Sequence, residues 1–167
     1  MLKIALLIVI LLACTAVGRS LSGARRRRAE TLGELLAAMR VLRLRMLNSL
    51  EPLGILLRKS DSGLFRRLGN DLRAGANLYD CWRERQERET CRGGALDSLE
   101  TDDLILLDGF FRHLGGSGRD EQSELFAGVI AAMEDAQSHA RRSYADASKV
   151  YTALGTLVGI GLCVLIV

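Results

Sequence analysis

The chain has 167 residues, of which 49% are hydrophobic and 26% charged, with a formal net charge of +3. Its mean hydropathy of +0.14 is high for a chain with so much charge. All 20 acidic residues and all but one of the 23 basic residues lie between Arg19 and Lys149, the exception being Lys3. That distribution excludes a disordered chain, a plain cytosolic enzyme and a multi-span transporter, and leaves one charged domain held between two apolar ends.

The first apolar end runs from Ile4 to Gly18. At ~1.5 Å per residue it reaches ~22 Å, short of a bilayer core unless Leu2 and the Arg19–Ala24 flank contribute. Three readings compete: a retained membrane helix, a cleaved signal peptide, and a lipoprotein signal, because Leu11-Leu12-Ala13-Cys14 resembles a lipobox.

The middle reads as helices throughout. Leu32, Leu35, Met39, Leu42 and Met46 are spaced three and four apart and form one apolar seam over Arg28–Leu50. Thr31-Leu32-Gly33-Glu34 fits a capping box for a late start, and the arginines before it fit an earlier one. Pro52, the one proline, ends this helix or starts the next. A short helix over Leu53–Arg58 and a turn at Ser60–Gly63 follow. The next helix, Leu64–Arg73, buries Leu64, Phe65, Leu68 and Leu72. Asn77 is placed to cap a helix carrying Leu78, Cys81 and Trp82, with Trp82 either core or the anchor of a helix–helix contact. Thr101-Asp102-Asp103 caps a helix whose seam is Leu104, Leu107, Phe111 and Leu114, and Gly115–Gly118 stops it. The last helix begins near Asp120. Its stripe is Leu125, Val129, Met133, Ala140, Tyr144 and Ala147, with Phe126 and Ile130 beside it.

The second apolar end, Val150–Val167, has no charged residue and reaches ~27 Å, the length of a membrane span. Neither proline nor glycine interrupts Val129–Leu154, so the last bundle helix is expected to continue into the span. Gly155 and Gly159 form a GxxxG that Cys163 continues, a small-residue stripe suited to packing against another membrane helix.

Flanking charge sets the topology. Arg19 and Arg25, Arg26, Arg27 and Arg28 follow the first apolar end; Arg141, Arg142 and Lys149 precede the second. Export of the loop would carry all of these across the membrane, whereas a hairpin with the loop inside leaves only Lys3 and the amino terminus outside. The favoured architecture is therefore all-α: an N-terminal membrane segment (1–24), a cytoplasmic helical bundle (25–149) and a C-terminal membrane helix (150–167). Beside the membrane, Arg25–Arg28 reads as a topology signal that also meets anionic lipid, ahead of a nucleic-acid contact. The alternative is a lipoprotein or exported helical domain with a C-terminal anchor. Within the loop the charge is split, net +8 over 19–75 and net −7 over 76–148.

Little chemistry is available. His113 and His139 belong to no metal-binding pattern, and no phosphate loop or nucleophile elbow occurs. Cys81 and Cys91 are too far apart for a C-x-x-C, and a cytoplasmic loop implies reduced thiols. The carboxylate pairs Asp102/Asp103 and Asp120/Glu121 sit at helix starts, where capping accounts for them. No catalytic residue, metal or cofactor is expected.

The ordered features resemble the stage III sporulation protein AB family over nearly the full length. The resemblance rests on the short N-terminal span, Pro52-Leu53 after a long helix, Leu64-Phe65 and Cys81-Trp82. Its most specific part is Leu99–Gln122, with Asp102/Asp103, Leu107, Leu114-Gly115, Ser117, Arg119 and Gln122. A glycine-containing span then ends the chain. Gly118 stands where the family usually has aspartate, and Arg83–Gly94 is poorly matched. The bundle is also similar to the cytoplasmic domains of type II secretion and type IV pilus platform proteins. The resemblance implies a non-enzymatic component of the assembly joining mother cell and forespore. It would sit in the mother-cell membrane around the forespore, with a sporulation ATPase and other membrane proteins of the channel as partners. It offers no catalytic residues.

Overall fold

The computed structural model describes the backbone at residues 2–49, 51–72 and 76–166, and side chains at 23–49, 51–72, 76–147, 149 and 153. Among the described residues six helices follow in order: α1 (Leu2–Asn48), α2 (Leu53–Arg58), α3 (Gly63–Asp71), α4 (Leu78–Glu89), α5 (Thr101–His113) and α6 (Arg119–Ile166). No strand occurs among the described residues. The chain forms two compact units, one comprising Arg28–Ser138 and the other Met1–Arg27 with His139–Val167.

The Arg28–Ser138 unit is a helical bundle. On α1 the seam residues Leu32, Leu35, Met39 and Leu42 are buried, and Met46 is half-buried. The helix passes straight through Thr31, so the arginines are helical and no capping box forms there; the Thr31 hydroxyl instead lies 3.0 Å from that of Ser98. Helix α1 ends at Asn48, and Pro52 caps α2, as its missing N–H favours. Helices α2 and α3 pack closely. Their approach depends on Gly69, where a Cβ would come within 2.6 Å of the Arg58 backbone nitrogen. Helix α3 stops at Asp71, two residues before the expected end, because Leu72 is extended (φ −73°, ψ 93°). Asn77 caps α4, its side-chain oxygen accepting from the Tyr79 N–H at 2.8 Å.

Two seams differ from expectation. The cap of α5 is Glu100, one residue earlier than expected, and Thr101 is already helical. In α5 Phe110 is fully buried while Leu104 is half-buried; in α6 Phe126 and Ile130 are buried while Leu125 and Val129 are half-buried. The reason is a chain of rings running through the core. Trp82 of α4 stacks on Phe111 with centroids 4.2 Å apart and planes 23° apart. Phe65 of α3 meets Phe111 edge-on at 5.7 Å. Phe110 meets Phe111 at 5.1 Å and Phe126 of α6 at 5.2 Å. The Phe110–Phe126 contact favours Phe126 over the adjacent Leu125, since ring pairs add to simple area burial. Helices α1 and α6 are joined by Gln137 to the Ala29 carbonyl (3.4 Å), by Arg43 to Ser123 (3.4 Å) and by the Arg40–Glu134 ion pair.

The other unit contains helical backbone from α1 up to Arg27 and from α6 beyond Ser138. Among its described side chains Ala140 and Ala147 are buried, while Arg25, Arg26, Arg27, Arg141, Arg142 and Lys149 are exposed. By sequence this unit carries eight basic residues and one acidic residue, Asp146. Among the described residues no helix is long and apolar enough to cross a membrane. The segments expected as spans, Ile4–Gly18 and Val150–Val167, lie outside the described side chains except at Ala153.

Phe111 touches three other rings, so Phe111→Ala is expected to cost about 3–5 kcal/mol of stability. Ile105→Ala, at a side chain left 63% exposed, should change it by less than about 0.5 kcal/mol. Denaturant titration of the detergent-solubilised chain, followed by tryptophan fluorescence, checks both.

Candidate functional site

The segment carrying the family resemblance folds as a compact turn between α5 and α6. Leu114 caps α5 and is buried. Gly115 has φ +81°, a left-handed conformation that L side chains rarely adopt, and a Cβ there would lie 3.2 Å from the Leu53 side chain. Gln122, only 2% exposed, reaches back into the turn. Its Oε1 accepts from the Gly115 N–H at 3.1 Å, and its Nε2 donates to the His113 carbonyl at 3.0 Å and to Ser117 Oγ at 2.6 Å. One buried amide thus pairs the Gly115 N–H and adds a second donor to the His113 carbonyl, which also accepts from the Gly116 N–H at 3.4 Å.

This turn forms one wall of an open groove of about 990 Å³. Pro52, Leu53 and Ile55 of the α2 region line it, together with Leu72, Leu78 and Tyr79, and Phe111 lies at its base next to the Trp82 stack. Two arginines border it. Arg112 donates to Tyr79 Oη at 2.7 Å and to Asp108 Oδ2 at 3.0 Å, and its guanidinium lies 5.0 Å from the centroid of the Tyr79 ring. Arg58, at the end of α2, is exposed. Sequence reasoning did not find the groove, because its walls come from four separated segments. The nearness of Leu53 to Gly115 has no local signature.

A second hollow of about 400 Å³ lies between Glu34, Ala37, Ala38 and Val41 of α1 and the Ser60–Gly63 turn.

The arginine run divides. Arg25, Arg26 and Arg27 are exposed, whereas the Arg28 side chain is only 16% exposed and holds Asp103 as a fork: Nε to Oδ2 at 2.7 Å and Nη2 to Oδ1 at 2.9 Å. Its Nη1 meets Glu100 at 2.8 Å. The hydrogen bond to Asp103 is the main reason the Arg28 pKa is raised above its ordinary value. Asp103 also accepts from the Glu100 N–H at 3.0 Å, closing the amino end of α5. The carboxylate pair at this helix start therefore serves capping and an ion pair.

Other polar groups are structural. Glu89 is buried; it receives Arg67 at 2.9 Å and the Ala95 N–H at 3.0 Å, which orders the loop after α4. Arg85 links it to Asp71. Trp82 is fully buried, and its indole N–H has no partner among the described residues. Burial, with the charge of Asp71 next, pushes the Cys81 thiol pKa up. No cluster of three potential metal ligands occurs among the described residues. Gly155, Gly159 and Cys163 lie outside the described side chains.

The family model for stage III sporulation protein AB matches residues 3–167 of this chain. No curated protein and no solved structure matches it.

The turn is expected to be sensitive at both of its determinants. Gly115→Ala should destabilise by about 1–3 kcal/mol through its left-handed backbone. Gln122→Ala should cost a similar amount, about 1–3 kcal/mol, by removing the partner of the Gly115 N–H and one of the two donors to the His113 carbonyl. Gln122→Glu, which keeps the acceptor for Gly115 but loses the donor to His113, should fall between wild type and Gln122→Ala in denaturant midpoint.

Proposed function

The chain belongs to the stage III sporulation protein AB family, and from that premise we propose that it is a membrane-anchored, non-enzymatic platform of the mother cell–forespore channel complex. The family ties the chain to sporulation. The observation that carries the finer reading is the extent of the match, which includes both apolar ends and the whole bundle.

In this reading the chain crosses the mother-cell membrane around the forespore twice, through 1–24 and 150–167, and the bundle faces the mother-cell cytoplasm. The charge of the Met1–Arg27/His139–Val167 unit supports that orientation: seven of its eight basic residues, Arg19, Arg25, Arg26, Arg27, Arg141, Arg142 and Lys149, lie on the bundle side of the apolar ends in sequence, against Lys3 alone on the other. Basic side chains beside a span remain on the cytoplasmic side, and each gains about 1 kcal/mol near an anionic lipid surface. Arg28 is excluded from that lipid role by its fork to Asp103. Gly155, Gly159 and Cys163 offer a close-packing stripe to another span of the complex.

The partners are a cytoplasmic sporulation ATPase and the other membrane proteins of the channel. The platform's task is to pass displacement from that motor to the membrane part. Helix α6 is the candidate carrier, and its uninterrupted helical backbone across residues 149–154 supports this.

Deleting the gene in its host is expected to stall sporulation around the completion of engulfment, scored by microscopy and by heat-resistant spore counts. Normal spores at normal yield would contradict the role.

A further inference from the structure

The groove bounded by α2, the start of α4 and the α5–α6 turn has a lining of a definite kind. Its walls are mainly apolar, through Leu53, Ile55, Leu72, Leu78 and Leu114. Among the described residues its charged lining is Arg58 and Arg112, with no carboxylate. The two arginines are not equivalent. Arg112 already has Asp108 as a counter-ion at 3.0 Å. Arg58 is exposed and forms no ion pair among the described residues. A cation left without a counter-ion at the edge of an apolar groove favours a partner that brings apolar side chains and a negative charge together. The groove is open to solvent rather than enclosed, which suits side chains projecting from a helix better than a buried small molecule.

We propose that this groove docks an acidic amphipathic helix of a partner protein, with its apolar side chains entering between Leu53 and Leu78 and a carboxylate meeting Arg58. The proposal deepens the platform reading and rests on it for the existence of a cytoplasmic partner. Apolar burial supplies attraction that any amphipathic helix would share. Arg58 supplies discrimination, because a lysine in place of the carboxylate meets a like charge. The Arg58 side chain is exposed and forms no hydrogen bond or ion pair among the described residues, so its reversal removes no polar contact from the core or the turn.

The test uses the full chain in nanodiscs of zwitterionic lipid and two short fluorescein-labelled helical peptides. Both have leucines spaced three and four apart; one is flanked by glutamates and the other by lysines. Fluorescence anisotropy, corrected against empty nanodiscs, is expected to show the glutamate peptide binding roughly tenfold more tightly than the lysine peptide. Arg58→Glu should reverse that order while circular dichroism melting stays unchanged. Leu72→Asp should weaken both peptides. Equal binding of the two peptides, binding of neither, or an unchanged order in Arg58→Glu would overturn the proposal. A change in oligomeric state of the peptide-free chain on Arg58→Glu would also overturn it, by assigning the groove to a contact between copies. Selective binding of the glutamate peptide by a chain whose gene is dispensable for sporulation would leave the groove standing and remove the sporulation role.

Discussion

The bundle depends on the position of one ring. Phe111 stacks on Trp82 and meets Phe65 and Phe110, while Phe110 meets Phe126. Through these contacts α3, α4 and α6 are all registered against α5. Interiors pack at crystal density, so none of these helices can slip by a turn without opening a cavity or forcing a clash. Phe111 also reaches the base of the groove. The residue that orders the core therefore also sets the floor of the proposed docking surface, and the shape of that surface is tied to the stability of the fold.

Polar side chains close the open ends of this apolar structure. Asp103, Gln122 and Glu89 are buried and each is hydrogen-bonded, as a low-dielectric interior requires. Asp103 receives the Arg28 fork and closes the start of α5; Gln122 closes its end. Glu89 gathers the loop after α4. Arg28 shows how one short sequence run serves two purposes. Four consecutive residues cover a whole helical turn of about 3.6 residues, so one of the four arginines has to face the bundle. Three remain exposed and the fourth becomes an internal ion pair.

Helix existence and most helix ends were legible in the sequence, because their signals are local. The α1 seam, Pro52, the Asn77 cap and the glycine turn after Leu114 each act within a few residues. What failed was the choice between adjacent apolar residues. Leu125 against Phe126 is decided by the ring that stands opposite, Phe110, which lies on another helix. Leu96, fully buried in the irregular stretch after α4, gave no periodic signal at all. The family-motif residues were visible as letters but not as a mechanism. The positive φ of Gly115 and the buried amide of Gln122 form one device, and only the folded turn brings them together. The groove was invisible for the same reason: the sequence neighbours of Leu53, Leu72, Leu78 and Leu114 say nothing of their meeting.

The central claim is that this bundle hangs from two spans on the cytoplasmic side of a membrane, and native cysteine chemistry addresses it most directly. Cys91 is exposed in the loop after α4, whereas Cys81 is half-buried with a raised thiol pKa. With Cys14→Ala and Cys163→Ala in place, Cys91 becomes the dominant reactive thiol of the full chain. In vegetative cells expressing that variant, a membrane-impermeant maleimide should leave Cys91 unlabelled until the membrane is permeabilised. Labelling of Cys91 in intact cells would put the bundle outside and contradict the account.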